Sequence, residues 1–303
     1  MKIIVTGATG LVGVALVRSL LADGHSITRL VRRASTSAPE AGVSDVLWNP
    51  ATETVDAKAL EGHDAAVHLA GEPVAEGRWD EEKKRRILES RVSGTGLLAR
   101  TLAGLERKPG VLVCASAIGF YGDRGDEVLT EESASGGDFL SEVCREWEKA
   151  ALPASGAGIR IVNARIGIVL SSEGGALARM LTPFKFGAGG RIGSGKQYMS
   201  WVALEDVVGI IKFALANETL RGPVNTVSPN PVTNADFTKA LGHALNRPTL
   251  FPVPAFAARL AFGEMADALL LSGARVEPAQ LKAAHYEFLY PQLEGALRHA
   301  LAS

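Results

Sequence analysis

The sequence has few cysteines and no excess of either charge. Only Cys114 and Cys144 occur in 303 residues, which argues against a secreted domain built on disulfides and favours a reducing cytoplasm. The 32 basic and 33 acidic residues give a net charge of −1, so the basic excess typical of nucleic-acid-binding proteins is missing. These features predict a cytoplasmic protein without a nucleic-acid partner.

Long apolar runs are also missing. No run approaches the roughly 18 to 20 residues that span a bilayer, and the chain begins on a strand pattern rather than a signal peptide, so we expect no membrane partner. The six histidines show no i,i+4 pair and no cysteine at metal-ligand spacing, so no metal site is predicted. The hydrophobic content of 47% is enough for a large buried core, which excludes wholesale disorder.

Short apolar runs alternate with helical patterns in the first half of the chain. The predicted strands are 2–6, 26–32, 45–49, 65–69, 111–115 and 159–164, and the predicted helices are 11–22, 80–105 and 138–154. Nearly continuous apolar strands are typical of a parallel sheet buried on both faces, and the alternation predicts an α/β fold with a doubly wound, Rossmann-type sheet.

We place the Rossmann domain at residues 1–170. A helix beginning near Leu204 and a late strand, within about 200–227, are expected to return to it. The rest of 171–303 contains many prolines and lacks the strand–helix alternation. It is expected to form mostly a smaller C-terminal α+β domain on the substrate side.

A glycine-rich turn follows the first strand and opens the first helix. Its spacing is Gly7-x-x-Gly10-x-x-Gly13. Glycines let the backbone approach a pyrophosphate, and the helix N-terminus supplies unpaired N–H groups and a positive dipole end. The context predicts a dinucleotide site formed by Gly7, Thr9, Gly10, Leu11, Val12 and Gly13; the alternative is a tight strand–helix turn without a ligand.

The end of the second strand indicates which dinucleotide binds. Proteins that bind NAD place an Asp or Glu about 20 residues beyond the glycines, where it holds the ribose 2′-OH. This chain has Arg32 and Arg33 instead. A guanidinium can bind a 2′-phosphate that a carboxylate would repel, so Arg32 predicts NADP(H). The alternative is a pair of solvated surface arginines.

Several short motifs carry a family resemblance. They are His-Leu-Ala-Gly at 68–71 with Glu72 next, Ser-Ala-Ile-Gly-Phe-Tyr-Gly at 116–122, Gly-Gly-Asp-Phe at 136–139, Trp-Glu at 147–148, Gly-Ser-Gly at 193–195 with Asp206 following, and Thr-Asn-Ala at 233–235. Together they resemble the extended, nucleotide-sugar-epimerase-like branch of the short-chain dehydrogenase/reductase superfamily. More narrowly they resemble its "epimerase family protein" subfamily, which has its own C-terminal domain, here from about residue 250. The resemblance implies that Leu69, Ala70, Gly71 and Ser116 contact the cofactor.

The catalytic pair of that superfamily is missing from this chain. The superfamily uses a Tyr, a Lys four residues later and a Ser that orients the substrate oxygen. The matching positions here are Leu140, Cys144 and Ala117. A tyrosine near its ordinary pKa of about 10 is a poor base at neutral pH without a nearby cation, so the superfamily's proton transfer cannot be carried over.

Three other residues are candidates for the chemistry. Tyr121 is the phenol nearest to the expected nicotinamide position, and we predict it to be the proton donor or acceptor. Arg91 stands where relatives usually carry an Asn, and it could support Tyr121 or hold an anionic group. Glu72 follows the strand-end Ala-Gly and would be the carboxylate in the cleft. The alternative is that all three serve only in cofactor binding, packing or ion pairing.

Residues 190–196 match the first part of a phosphate-binding P-loop, but Gln197 replaces the required Ser or Thr, so an ATP site is not predicted. As a loop over the cleft, the segment offers Gln197, Ser200 and Trp201 as substrate contacts; the alternative is an ordinary surface turn.

The sequence therefore predicts an NADP(H)-binding oxidoreductase or epimerase-like enzyme for a small polar molecule, with a homodimer left open. The alternatives are a catalytically silent sensor that binds NADPH and a structural partner in a larger assembly.

Overall fold

The structure is a computed structural model that describes residues 1–33 and 40–302. Its strands are β1 (Lys2–Thr6), β2 (Ser26–Val31), β3 (Val43–Asn49), β4 (Thr54–Val55), β5 (Ala65–His68), β6 (Val111–Ala117), β7 (Val128–Leu129), β8 (Arg160–Ile166), β9 (Ile168–Leu170), β10 (Tyr198–Met199), β11 (Trp201–Ala203), β12 (Gly222–Thr226), β13 (Val232–Thr233) and β14 (Arg275–Val276). Its α-helices are α1 (Leu11–Ala22), α2 (Glu81–Ala103), α3 (Phe139–Ala150), α4 (Leu152–Gly156), α5 (Gly175–Lys185), α6 (Leu204–Ala216), α7 (Asn234–Ala244), α8 (Ala255–Phe262), α9 (Glu264–Ala266), α10 (Ala279–Ala283) and α11 (Leu293–Ala302).

Eight strands form one central sheet in the order β12-β8-β6-β5-β1-β2-β3-β4. All neighbours are parallel except β3 and β4. The strand order reverses at β1, which lies between β5 and β2, and doubly wound sheets open a ligand crevice at the carboxyl ends beside such a point. The predicted α/β fold with a Rossmann-type sheet is confirmed.

The sheet is buried on both faces because its strands are apolar throughout. Ile3, Ile4 and Val5 of β1 are all fully buried, and they divide between two apolar clusters. One cluster joins the sheet to α1 and α6, and the other joins it to α2 and α4. Burial of these faces supplies the main favourable free energy of folding, and it holds the strand ends in fixed positions around the crevice.

A smaller region completes the fold. It contains three two-stranded pairs, β9 with β11, β10 with β13 and β7 with β14, together with α5 and α7 to α11. Its own core includes Leu170, Trp201, Phe237 and Leu297. β12 pairs with β8 in the main sheet, and Asn225 of β12 donates from Nδ2 to the carbonyl oxygen of Glu277 (2.9 Å). The smaller α+β region therefore contacts the Rossmann sheet at its strand ends.

Two of the three predicted helices need correction, and several predicted strands differ by one or two residues at their ends. The helix predicted over 80–105 begins one residue later, because the Asp80 carboxylate accepts from the Lys83 amide (2.7 Å) and is the N-cap. The helix predicted over 138–154 divides at Ala151 into α3 and α4, because Pro153 has no N–H to continue α3. In the described ranges, no helix combines the length and the apolar character that crossing a membrane requires.

Candidate functional site

The crevice begins at the turn after β1, where two positions require glycine. Gly7 has a φ of +66°, and a Cβ there would lie 2.7 Å from the backbone carbon of Leu69. A Cβ at Gly13 would lie 2.1 Å from the carbonyl oxygen of Gly7. Helix α1 follows Gly10, which provides no side-chain cap, so no described side chain caps the first amides of α1. The turn fits an anion such as a pyrophosphate.

Thr6 ties this turn to the end of β5. Its Oγ1 accepts from the amides of Leu69 and Ala70, both at 3.2 Å, and lies 2.8 Å from His68 Nδ1. Which of these two groups donates follows from the imidazole tautomer, and the buried Nε2 has no hydrogen-bond partner among the described residues. Burial lowers the pKa of His68 to about 4. The sequence analysis missed Thr6, because a threonine that ends a strand looks ordinary.

Basic side chains gather beyond β2. Arg32 and Arg33 are both exposed. The Glu72 carboxylate accepts from Lys83 Nζ at 2.8 Å. This hydrogen bond lowers the pKa of Glu72, and the charges of Arg86 and Arg32 lower it further. The ionised Glu72 thus lies among several cations. Positive charge at this strand end suits a phosphate on the ribose, which a carboxylate in the same place would repel.

The superfamily's three catalytic positions lie together. The Cys144 thiol lies 3.6 Å from the carbonyl oxygen of Ala117. A Cβ on Gly119 would lie 3.3 Å from Leu140 Cβ and 3.9 Å from Cys144 Sγ. Burial raises the pKa of Cys144 to about 12, so its thiol is neutral at pH 7. The place of the usual Ser, Tyr and Lys is therefore occupied by a methyl group, an isobutyl group and a neutral thiol.

Arg91 is a cation close enough to Cys144 for its charge to lower the pKa of the thiol against the effect of burial. Its Nη1 donates to the carbonyl oxygens of Glu72 (3.0 Å) and Ile87 (3.1 Å), and its Cζ lies 4.8 Å from the ring centroid of Trp147. Burial lowers the pKa of Arg91, but a guanidinium remains charged in proteins. In the part of the chain that the structure describes, Arg91 forms no ion pair, so its charge is available to an anionic group.

Tyr121 belongs to a different set of contacts. The phenol is fully buried; its hydroxyl donates to Asn225 Oδ1 (2.6 Å) and accepts from Arg165 Nη1 (3.0 Å). Burial raises the pKa of Tyr121, and Arg165 opposes this rise. Tyr121 has no hydrogen bond to Arg91 or Glu72 among the described residues. The expectation that Arg91 supports Tyr121 is corrected: the supporting cation is Arg165.

Arg165 is the charged residue that the sequence analysis missed. Its Nε and Nη2 donate to the two carboxylate oxygens of Glu148, at 2.8 and 2.9 Å, and its Cζ lies 3.4 Å from the Phe120 ring centroid. Ser116 is almost fully buried and donates to Glu148 at 2.7 Å, so its contact with a cofactor stays a prediction. Arg165 fell one residue beyond the strand predicted at 159–164. A charge inside a buried strand needs a buried partner, and that rule could have found the pair.

The three predicted substrate contacts are held by backbone groups. Gln197 is half-buried, whereas Ser200 and Trp201 are fully buried. Each side chain donates to a carbonyl oxygen. The acceptors are Ile192 and Leu270 for Gln197, Ala274 for Ser200 and Asn230 for Trp201. They support the loop from within, and their contact with a substrate stays a prediction.

A cleft of about 420 Å³ opens from the protein surface towards Leu140. Leu140, which stands where the superfamily has its tyrosine, lines it together with Trp79 and Phe139 from one side. Arg259 and Asp267 line it from the C-terminal region. The cleft is therefore where a small molecule could approach the carboxyl ends of the strands.

Comparisons with known proteins agree with this architecture. The NAD dependent epimerase/dehydratase family matches residues 3–226, and a domain of unknown function (DUF1731) matches 253–300. An epimerase family protein of Mycobacterium bovis is 43% identical, with 98% of this chain and 96% of the relative covered. The epimerase family protein SDR39U1 homolog, chloroplastic, of Arabidopsis thaliana is 40% identical, with 98% and 86% covered.

A solved structure extends the comparison to three dimensions. The crystal structure of human epimerase family protein SDR39U1 with NADPH matches with a TM-score of 0.90 at 34% identity, covering 100% of both chains. The C-terminal match from residue 253 agrees with the domain predicted from about residue 250. The chain therefore belongs to the NAD dependent epimerase/dehydratase family, among the epimerase family proteins that its motifs predicted.

Proposed function

We propose that the chain is an NADP(H)-dependent oxidoreductase or epimerase-like enzyme that acts on a small polar substrate. Two observations together carry the proposal. The turn after β1 accepts only glycine at Gly7 and Gly13, and the neighbouring strand β2 is followed by the exposed Arg32 in place of an acid. The turn suits a pyrophosphate, and a guanidinium pairs with a 2′-phosphate. The NADPH in the human SDR39U1 structure supports the same assignment.

The cofactor residues proposed are those that the motifs indicate. They are Gly7, Thr9, Gly10, Leu11, Val12, Gly13, Arg32, Leu69, Ala70, Gly71 and Ser116. NADPH, when bound, supplies the hydride. The backbone around Gly7 and Gly13 would lie against the pyrophosphate, because no Cβ intervenes at either position.

The chain's own side chains must stabilise charge on the substrate oxygen and move one proton. We assign the first task to Arg91, whose guanidinium lies near Cys144 and has no ion pair with any residue that the structure describes. We assign the proton to Tyr121, beside which Arg165 provides the cation that the missing Lys would have been. Glu72, whose carboxylate is bonded to Lys83, would adjust the electrostatic potential at Arg91 through its negative charge.

A catalytically silent NADPH sensor is the second candidate. The observation that favours it is the set of side chains at Ala117, Leu140 and Cys144, none of which titrates near neutral pH. Such a protein would keep the cofactor turn and lose the chemistry.

A screen of small carbonyl compounds against the NADPH-loaded protein separates these functions. We expect at least one compound to oxidise NADPH, and we expect Arg91→Gln to lower kcat/KM roughly 100-fold, the usual size of one lost oxyanion contact. Arg100→Gln, on the exposed face of the same helix, is the matched control. Tight NADPH binding without turnover identifies the sensor, whereas a chain that binds no dinucleotide contradicts both functions.

Tyr121→Phe tests the proton role. If Tyr121 transfers the proton, kcat falls at least about 100-fold. The free energy of unfolding, measured in urea, falls by about 1–3 kcal/mol because Asn225 and Arg165 lose a hydrogen-bond partner. A variant with lower stability and unchanged kcat would reduce Tyr121 to a structural residue.

We also propose a cytoplasmic location, on the cysteine usage alone. The name of the Arabidopsis thaliana relative places that protein in the chloroplast, so relatives of this chain are not confined to one compartment. Fractionation of the native cells, with the chain detected by antibody, tests the location.

A further inference from the structure

Glu72 and Arg32 lie on opposite sides of the turn after β1, and the inference drawn from their surroundings rests on the proposed function. In the sheet, Thr6 at the end of β1 is paired with Leu30 of β2 and with His68 of β5. Arg32 comes two residues after Leu30, and Glu72 comes four residues after His68. Because neighbouring strands lie about 4.8 Å apart, both residues are at the edge where the ribose of a dinucleotide binds. The charge of Arg32 also contributes to the low pKa of Glu72.

Helix α2 holds Glu72 at three points. The backbone of Glu72 donates to Ser90 Oγ (3.1 Å) and accepts from Arg91 Nη1 (3.0 Å). Its carboxylate accepts from Lys83 Nζ (2.8 Å), and the Lys83 side chain is only 7% exposed. A buried cation needs an anionic partner, so Lys83 balances the charge of Glu72.

Arg86 lies beside this ion pair, three residues after Lys83 and therefore on the same face of α2. Its Nε lies 3.7 Å from Glu72 Oε1, which is beyond hydrogen-bonding distance, and its Nη1 donates to Glu82 Oε1 over a long 3.4 Å. Both carboxylate oxygens of Glu82 already accept from Arg85 Nη2, at 2.8 and 2.7 Å. The guanidinium of Arg86 is exposed, so its donors are available to a ligand.

We propose that Arg86 is a second residue that binds the 2′-phosphate of NADPH, facing Arg32 across the edge of the crevice. A phosphomonoester carries a charge of about −1.5 to −2 at pH 7. Since Lys83 balances Glu72, the two guanidinium groups supply the two positive charges that match it. Each guanidinium can donate two parallel hydrogen bonds to phosphate oxygens. Arg86 is therefore a residue that determines the preference for NADPH over NADH.

Titration of the wild type and of Arg86→Gln with NADPH and with NADH, followed by nucleotide fluorescence, tests the proposal. We expect Arg86→Gln to weaken NADPH binding about tenfold, the low end of the effect of losing a hydrogen bond to a charged group, and to leave NADH binding unchanged. Arg86→Lys keeps the charge without the fork of donors, so its NADPH affinity should lie between those of the wild type and Arg86→Gln.

Arg85→Gln is the matched control. Arg85 is the adjacent residue, is as exposed as Arg86, and is bonded to Glu82 and Glu89 rather than to Glu72. We expect Arg85→Gln to leave the ratio of the NADPH and NADH affinities unchanged. Because both arginines are exposed, neither substitution removes core packing.

Calorimetry with adenosine 2′,5′-bisphosphate and with adenosine 5′-monophosphate locates the effect on the ribose, because neither probe has a nicotinamide. The wild type should prefer the bisphosphate, and Arg86→Gln should lose most of that preference. Equal losses of NADPH and NADH affinity in Arg86→Gln, or an equally large effect of Arg85→Gln, overturn the proposal.

The same titrations keep this inference apart from the proposed function. A wild type that prefers NADH contradicts the proposed function. A preference for NADPH that depends on Arg32 but not on Arg86 overturns this inference alone.

Discussion

The imidazole of His68 shows how one residue links the crevice to stability. Its side chain is fully buried, and its Nδ1 lies 2.8 Å from Thr6 Oγ1. Burial lowers its pKa to about 4, compared with about 6.5 in an unfolded chain. The unfolded state therefore binds more protons between these values, so the contribution of His68 to stability is complete above pH 6.5 and decreases as the pH falls towards 4.

Between pH 6.5 and pH 5 this linkage removes about 2 kcal/mol of unfolding free energy. Urea unfolding of the wild type and of His68→Asn at both pH values measures the difference. The variant, which has no proton to take up at this position, should lose about 2 kcal/mol less over that interval. Parallel pH profiles for the two proteins would show that His68 is not the group responsible.

At this scale the sequence predicts residues whose role follows from local spacing. Gly7 and Gly13 were found because a strand, a turn and a helix follow one another within a few positions. Arg165 and Asn225 were not found, because their contacts with Tyr121 join residues 44 and 104 positions apart. A buried polar network of this kind depends on which strands become neighbours.

Among the elements, the glycine turn with α1 leaves no space for a Cβ at Gly7 or Gly13. Gly13→Ala places a methyl group 2.1 Å from the Gly7 carbonyl oxygen, so the turn must move. We expect a loss of about 2 kcal/mol or more in stability and at least tenfold weaker NADPH binding, measured by urea unfolding and by fluorescence titration.

Gly295→Ala in α11 is the matched control, because its Cβ meets nothing within 4 Å. It should leave NADPH binding unchanged and raise stability slightly through helix propensity. Similar losses in both variants would contradict the steric account of the turn.

Helices and strands, like single residues, are predictable where a local pattern in the sequence determines them. Helix α1 begins and ends where predicted, since Leu16, Val17 and Leu20 recur at helical spacing and all face the sheet. The first turn of α6 at Leu204 was also predicted. The break between α3 and α4 was missed, although Pro153 marks it, because the apolar pattern runs on across the proline.

At the scale of the whole molecule, Asp206 joins the C-terminal region to the Rossmann domain. Its carboxylate accepts from the amides of Leu289 (2.7 Å) and Tyr290 (3.0 Å) and is almost fully buried. The sequence places Asp206 in the first turn of α6, where it complements the helix dipole. Its main contacts lie 83 and 84 residues away, and no local pattern shows them.

Asp206→Ala should leave two amides without an acceptor and cost about 2–4 kcal/mol in stability. Hydrogen exchange should accelerate over residues 285–302 while β1 and β5 keep their protection. Glu218→Ala, an exposed acid just beyond α6, is the control and should change neither quantity. Uniform acceleration across the sheet would indicate global destabilisation rather than release of the C-terminal region.

The most direct test of the account is calorimetric titration of the wild type and of Arg32→Glu with NADPH and with NADH. Arg298→Glu, an exposed charge reversal in α11, controls for net charge. We predict that the wild type binds NADPH at least tenfold more tightly than NADH, and that Arg32→Glu abolishes or reverses this preference. A wild type that prefers NADH, or an Arg32→Glu variant that keeps the preference for NADPH, would contradict the account.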